Sequence, residues 1–469
     1  MRPSLFRRPP FAMWTLLTLA ALAALAACDE AVRLIEAPPD PPTPTTLQMV
    51  SGDGQRAVQG LSLVDAIVVR VLDQHGEAMA GQSVAFAPGA GHGTADPASA
   101  TTDSDGRAAT AWTLGPESGN QTLALTAVEA TATATAVSLD LEAELDTLFM
   151  PATDAEMGTV RADWAARNVS AVGARVELEE PLDLLGTPTR LRIVSHTVGG
   201  SRHYGAIIVP DGAEERSLPI LAYLHGGENG VSIGDIIIAA IALGNLRDRF
   251  VYVIPSFRSE PLEYGDSTWV SEGQSSHWNY DVDDALALLN VTIETTPEAR
   301  PDSINLFGGS RGGGVALLAG VRDERIARIV TFFGPTYFFD DWVREIVREA
   351  ALRMPRRLTG VAHLDSTVVQ PYIRGDLTRS ETRLELVRRS SALWAADLPS
   401  VQLHHGTIDL TVSVSQARAL IERMEALGRG APDFEAFIYE GGGHDVLGLD
   451  EAIPRAVEFL ARALGTGGS

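Results

Sequence analysis

From about residue 181 to the end, apolar and polar positions alternate between two periods. Leu191–Val198 and Tyr204–Val209 have the short apolar character of strands and are joined at Gly199-Gly200, which predicts a hairpin. Leu218–Leu224 predicts a third strand that runs into His225-Gly226-Gly227. An apolar helix is expected over Ile233–Leu243, a strand over Phe250–Ile254, a helix over Asp281–Leu289 and a strand over Ser303–Phe307. Val401–His404 and Phe434–Tyr439 complete the series as two late strands. Strands alternating with helices predict an α/β fold, a doubly wound and mostly parallel sheet covered on both faces. Its ligand site belongs at the carboxyl ends of the strands.

Residues 47–139 have a different texture. Short runs of Val, Thr and Ala alternate in polarity between the turn signals Asp53-Gly54, His75-Gly76, Gly91-His92-Gly93, Asp105-Gly106 and Gly119-Asn120. That spacing predicts an all-β sandwich. The piece Asp103-Ser104-Asp105-Gly106 has too few later carboxylates for a calcium loop and is read as a turn. Residues 140–180 are acidic and mixed, and are read as a helical connector. Residues 28–46 carry Pro38, Pro39, Pro41, Pro42 and Pro44 and form a proline-rich tether.

The first 27 residues have the layout of an export signal. Arg2, Arg7 and Arg8 precede an apolar run, Phe11–Ala27, of about 17 residues, short for a membrane span. It ends in Leu25-Ala26-Ala27-Cys28, which resembles the lipobox of bacterial lipoproteins, and Cys28 is the single cysteine of the chain. The expectation is therefore a lipid anchor on Cys28, a location in the bacterial cell envelope facing periplasm or exterior, and no disulfides. With 37 Lys+Arg against 61 Asp+Glu the net charge is −24, which argues against nucleic acid as a partner.

The chemistry concentrates after the strand Ser303–Phe307, which runs directly into Gly308-Gly309-Ser310-Arg311-Gly312-Gly313 and then an apolar helix. G-x-S-x-G between strand and helix is the setting of a nucleophile elbow, where Gly308, Gly312 and Gly313 let the chain segments pass closely. The alternative, a serine capping a nucleotide-binding loop, would need G-x-G-x-x-G or a G-K-[ST] ending, and neither is present. A serine nucleophile needs a base, and the base an orienting carboxylate. In the order this fold uses, they are Asp409, after the strand Val401–His404, and His444, after the last strand. The oxyanion hole is expected from the amide of Arg311 and from the turn holding Gly226 and Gly227. His404 and His405 are read as packing residues, and His225 as a residue that shapes its turn. Asp445 is too close in sequence to orient the ring of its neighbour.

The doubled glycine of G-x-S-x-G-G, the His-Gly-Gly loop, His405-Gly406-x-x-Asp409 and Gly441-x-x-His444 resemble the catalytic domain of prolyl oligopeptidases and their dienelactone-hydrolase-like relatives. The resemblance spans about 290 residues, 181–469. It implies an α/β-hydrolase with a Ser310–His444–Asp409 triad and no metal or organic cofactor. It favours a serine peptidase, with a carboxylesterase of the same fold as the alternative and a peptide or ester as substrate. The propeller of true prolyl oligopeptidases has no counterpart. Some relatives use a tyrosine hydroxyl as an oxyanion donor, and Tyr264 stands near that place. Residues 337–398 form a helical insertion expected to act as a lid. Its Arg344, Arg348, Arg353, Arg356 and Arg357 either solvate an amphipathic helix or steer an anionic substrate. Trp342, Tyr372 and Trp394 are candidate wall or lid-core residues.

The N-terminal run Val69-x-Val71-x-Asp73-x-x-Gly76, Gly81-x-x-Val84-x-Phe86, Thr101-Thr102-Asp103-x-x-Gly106 and Trp112-x-Leu114-Gly115 resembles bacterial Ig-like domains of the invasin and intimin type. Such a domain implies a spacer or a docking module for an envelope or surface partner. The reading of a different class is a surface-binding lipoprotein whose hydrolase domain is idle.

Overall fold

A computed structural model describes residues 40–170 and 172–464. The expected signal sequence, Cys28 and Pro38 and Pro39 of the tether lie outside the described residues. Among the described residues no helix is long and apolar enough to cross a membrane.

The N-terminal strands are β1 (Pro44–Ser51), β2 (Gln55–Val58), β3 (Ile67–Asp73), β4 (Ser83–Pro88), β5 (Thr94–Asp96), β6 (Ser99–Thr101), β7 (Arg107–Thr113), β8 (Gly119–Ala127) and β9 (Ala130–Leu139). They form two sheets, ordered β1-β3-β7-β5 and β2-β9-β8-β4-β6. Along β3, β7 and β8 alternate side chains are buried, as period-2 patterning requires. Their inner residues share a core with Trp112 fully buried in it. The Asp103 turn is closed by its own carboxylate, which accepts from the amides of Asp105 and Arg107 at 2.9 Å each.

Two helices follow, α1 (Leu141–Leu148) and α2 (Asp154–Ala166). Asp140 caps the first, and Thr153 with Glu156 forms a capping box on the second. The connector ends there. Residues assigned to it at the sequence level form β10 (Val172–Asp183), an edge strand of the main sheet. Its outward face is charged, which hides its strand character from hydrophobic periodicity.

The remaining strands of the main sheet are β11 (Pro188–Val198), β12 (Ser201–Pro210), β13 (Leu218–Leu224), β15 (Val251–Pro255), β18 (Ala299–Gly309), β19 (Ile326–Phe332), β20 (Ser400–Gly406) and β21 (Phe434–Tyr439). Short strands β14 (Val231–Ser232), β16 (Pro261–Tyr264) and β17 (Ser267–Val270) form a side sheet. The main order is β10-β11-β12-β15-β13-β18-β19-β20-β21, with β12 antiparallel to β15 and every later pairing parallel. Helices α3 (Asp235–Leu243), α4 (Tyr280–Thr295) and α5 (Arg311–Arg322) alternate with these strands. This is the α/β-hydrolase arrangement, with separate apolar cores on the two faces of the sheet.

The insertion before β20 contains α6 (Asp341–Ala351), α7 (Val361–Leu364), α8 (Gln370–Arg374) and α9 (Arg379–Arg389). Beyond it lie α10 (Val414–Ala426) and α11 (Ala452–Ala461). Several arginines of the insertion reach out to the acidic connector in part-exposed pairs. Arg344 pairs with Asp146 at 2.6 Å, and Arg348 reaches both oxygens of Glu142 at 2.8 Å. Arg353 donates to the carbonyl of Ser62 in the N-terminal domain at 2.8 Å, while Arg356 stays within the insertion, on Glu349. The exposed pairs contribute little each. Arg383 is different, because it is buried, forks onto Glu156 at 2.6 and 2.9 Å, and donates to the carbonyls of Leu148 at 2.7 Å and Met150 at 2.8 Å. A planar guanidinium satisfies several oxygens at once, so this contact carries the junction.

Removing the guanidinium leaves Glu156 with only its Thr153 cap and no counter-ion, and the carbonyls it serves without a donor. Arg383→Met is therefore expected to destabilise the protein by about 3–5 kcal/mol in urea unfolding. The Arg383 hydrogen bond holds the Glu156 carboxyl at about 2, below its ordinary 4.5. The stabilisation is full above pH 4.5 and declines as pH falls towards 2. The melting-temperature advantage of the wild type over Glu156→Gln should follow that course, and an advantage constant over this window would contradict the ion pair.

Candidate active site

Ser310 sits between β18 and α5 at φ 54° and ψ −123°, a conformation that L-residues rarely adopt. The fold holds it there. The Ser310 amide donates to the Phe332 carbonyl at 2.8 Å, and its own carbonyl accepts from Gly314 at 3.2 Å. The flanking glycines are required by contact. A Cβ on Gly312 would lie 1.9 Å from the Leu224 carbonyl oxygen, and one on Gly308 would lie 2.4 Å from that of Gly312. On Gly313 it would meet the Thr331 hydroxyl at 2.6 Å.

Asp409 and His444 come from the loops after β20 and β21, which are parallel neighbours. His444 Nδ1 is 2.6 Å from Asp409 Oδ2, so the ring donates to the carboxylate. The other carboxylate oxygen accepts from the amides of Thr411 at 2.8 Å and Val412 at 2.9 Å. Burial raises the Asp409 carboxyl, but the His444 hydrogen bond and these amides outweigh it and hold the group below its ordinary value. Asp409 is thus a buried, ionised acceptor. His444 also lines a cleft of about 380 Å³ together with Ser310, Gly226 and Gly227.

The His225-Gly226-Gly227 turn crosses directly over the elbow. A Cβ on Gly226 would come within 3.1 Å of the Gly309 carbonyl oxygen and 3.4 Å of Ser310 Cβ. Arg311 opens α5, where the first amides have no intrahelical acceptor. Its side chain, which the sequence reading left without a role, is fully buried behind this turn. It donates to Asp281 at 3.0 Å, to the Gly227 carbonyl at 3.1 Å and to Glu260. Asp281 also accepts from the amides of Trp278 and Asn279 at 3.0 Å each. Burial pushes the carboxyls of Glu260 and Asp281 up, with Arg311 opposing it in both. Burial, with Arg311 nearby, lowers His225 to about 3. The neutral ring donates from Nδ1 to the Gly226 carbonyl at 3.1 Å, which bears out its turn-shaping part. One signal could have exposed this network: an arginine inside an elbow must be buried, and a buried arginine demands carboxylates.

The remaining candidates sort clearly. Tyr264 donates to Glu180 at 2.6 Å, and its hydroxyl is engaged away from the elbow. His404 is stacked on Phe332 and bonded to the Tyr439 hydroxyl at 2.7 Å, and His405 Nε2 is 2.9 Å from the Val412 carbonyl. Asp445 caps a turn at Leu447. Of the lid aromatics, Trp342 lines a small apolar pocket beside Ser310. Tyr372 is bonded to Glu144, and Trp394 packs on Trp164 with ring centres 4.8 Å apart.

Two apolar spaces adjoin the cleft. One, of about 30 Å³, lies under the lid between Ser310, Trp278, Trp342 and Val412. The other, of about 370 Å³, lies between α3 and α11 and shares His444 with the cleft. Among the described residues no group of three or more His, Cys, Asp or Glu is placed to hold a metal ion.

No family model and no curated protein matches the sequence. Among solved structures the chain is similar to an acetyl xylan esterase from a Thermoanaerobacterium species, at 15% identity over 69% of this chain and 99% of that one, with a TM-score of 0.48. It is similar to an acetyl xylan esterase from a Paenibacillus species at 17% identity, 68% and 99% coverage and a TM-score of 0.46. An esterase of Pyrococcus furiosus follows at 18% identity, 63% and 99% coverage and a TM-score of 0.42.

Proposed function

We propose that this protein is a serine carboxylesterase that cleaves esters of small acyl groups through an acyl-enzyme. The observation that carries the reading is the single cleft shared by Ser310, on its strained elbow, and His444, whose other nitrogen is bound to buried Asp409. In this mechanism His444 takes the Ser310 proton as the hydroxyl attacks the ester carbonyl. The negative charge that develops on the carbonyl oxygen is met by the Arg311 amide and an amide of the Gly226-Gly227 turn. His444 then protonates the departing alcohol, and water repeats the sequence to release the acid. Arg311 acts twice, its backbone towards the oxyanion and its side chain holding the turn by the Gly227 carbonyl.

The peptidase favoured by the sequence resemblance gives way to the esterase alternative. The enclosed pocket beside Ser310 is about 30 Å³, walled by α6 and the loop before α7. Such a space holds one or two water-sized groups. It suits the methyl of an acetyl group better than a prolyl ring. The lid closes this pocket, and Glu228 of the oxyanion turn accepts from the Gly360 amide of the lid. Within the same reading, acylation of Cys28 tethers the enzyme to the bacterial envelope, and the N-terminal sandwich serves as an Ig-like spacer.

A fluorophosphonate probe should label the wild type and not Ser310→Ala. Asp409→Asn should lower kcat for p-nitrophenyl acetate by about ten-thousandfold, because the imidazole then takes the wrong tautomer. A folded wild type without labelling would point instead to a binding protein with an idle site. Metabolic labelling with a fatty-acid analogue should be lost in Cys28→Ala.

A further inference from the structure

The chamber between α3 and α11 has no part in the chemistry described above, yet it opens against the reacting groups. It shares Tyr223, Phe307, Phe333, His444 and Val446 with the cleft that holds Ser310. Its inner wall is apolar, formed by side chains such as Ile236, Ala242, Ala456 and Leu460. At about 370 Å³ it falls in the size class of pockets that take a whole small organic group. Leu447 lines it while remaining 74% exposed, which places an apolar side chain at its mouth. Few polar groups reach it, and two of them are committed: the Asp235 carboxylate accepts from the Ser232 amide at 3.0 Å, and Asp445 from that of Leu447 at 3.1 Å. Burial, with Asp235 nearby, pushes the Tyr223 hydroxyl up to about 12, so this residue stays a neutral donor at the junction with the cleft.

Position decides which part of an ester goes where. The base returns its proton to the leaving oxygen, so the leaving group lies against His444. The chamber is bounded by His444 and by Asp445, Val446 and Leu447 after it, and Ser310 is not among its walls. The small lid pocket has the opposite arrangement, with Ser310 in its wall and His444 outside it. We infer that the α3–α11 chamber binds the apolar alcohol portion of the substrate, which makes this an esterase for short-acyl esters of medium-chain or aryl-alkyl alcohols. This assignment rests on the esterase reading.

The test uses two matched ester series and one binding measurement. Among acetates of ethanol, butanol, hexanol and octanol, kcat/KM should rise about a hundredfold from first to last, as apolar surface enters the chamber. Among ethyl esters from acetate to octanoate it should fall. Ala242→Phe, introduced into the chamber wall, should bring the octyl-to-ethyl ratio of the acetates close to one in a protein that still reacts with the fluorophosphonate probe. By calorimetry, 1-octanol should bind Ser310→Ala and fail to bind the Ser310→Ala, Ala242→Phe double variant. A rise along the acyl series instead, or an unchanged octyl-to-ethyl ratio in Ala242→Phe, would overturn the assignment. Octanol binding to Ser310→Ala without cleavage of any ester by the wild type would overturn the esterase reading, and the alcohol assignment with it.

Discussion

The close crossing of three backbone segments at the elbow is the constraint on which the rest of the site depends. The end of β13, the end of β18 and the start of α5 meet so tightly that a single Cβ on Gly312 would overlap the Leu224 carbonyl. That crossing forces Ser310 into its strained conformation and brings the Gly226 turn directly over it. Strain of this kind costs about 1–3 kcal/mol and survives only where the surroundings over-determine it. Here the surroundings are the Phe332 hydrogen bond, the parallel pairing of β13, β18 and β19, and the buried Arg311 network.

The Arg311 network explains why a charged residue occupies so tight a place. Its guanidinium spans two buried carboxylates and the Gly227 carbonyl, joining α4, α5 and the Gly226-Gly227 turn into one unit. Replacing such a group by an apolar side chain would leave Asp281 and Glu260 uncompensated, which is more costly than never having built the pair. The turn is therefore held by a cluster lying behind Ser310.

A second charge pattern ties the helical insertion to the rest of the chain. Arg344, Arg348, Arg379 and Arg383 of the insertion meet Asp146, Glu142, Glu144 and Glu156 of the connector. The connector is thus tied to the same helix, α6, that walls the pocket beside Ser310. The apolar core repeats the link, since Leu145, Val160 and Trp164 of the connector pack in the same cluster as α6, α9 and the helices beside the sheet.

Much of the site was legible in the sequence because its signals are local. A strand running into G-x-S-x-G, and strands ending ahead of Asp409 and His444, place three side chains on one edge of a sheet whose topology is constrained. The mainly parallel sheet followed from the alternation of strands with helices along the chain. What escaped were pairings between distant segments: β10 against β11 through a charged strand, Arg311 with Asp281 and Glu260, and the lid arginines with the connector acids. A charged side chain has the same composition whether it is solvated or paired, and only its neighbours distinguish the two. The sequence by itself indicated the elbow and the strand ends that carry Ser310, Asp409 and His444, since each rests on a local signal, but it did not mark β19, the strand between β18 and β20. The tertiary structure alone decided what surrounds them, the turn-holding arginine, the gripped insertion and the two unequal apolar spaces, because volume and charge pairing arise only when separate segments meet.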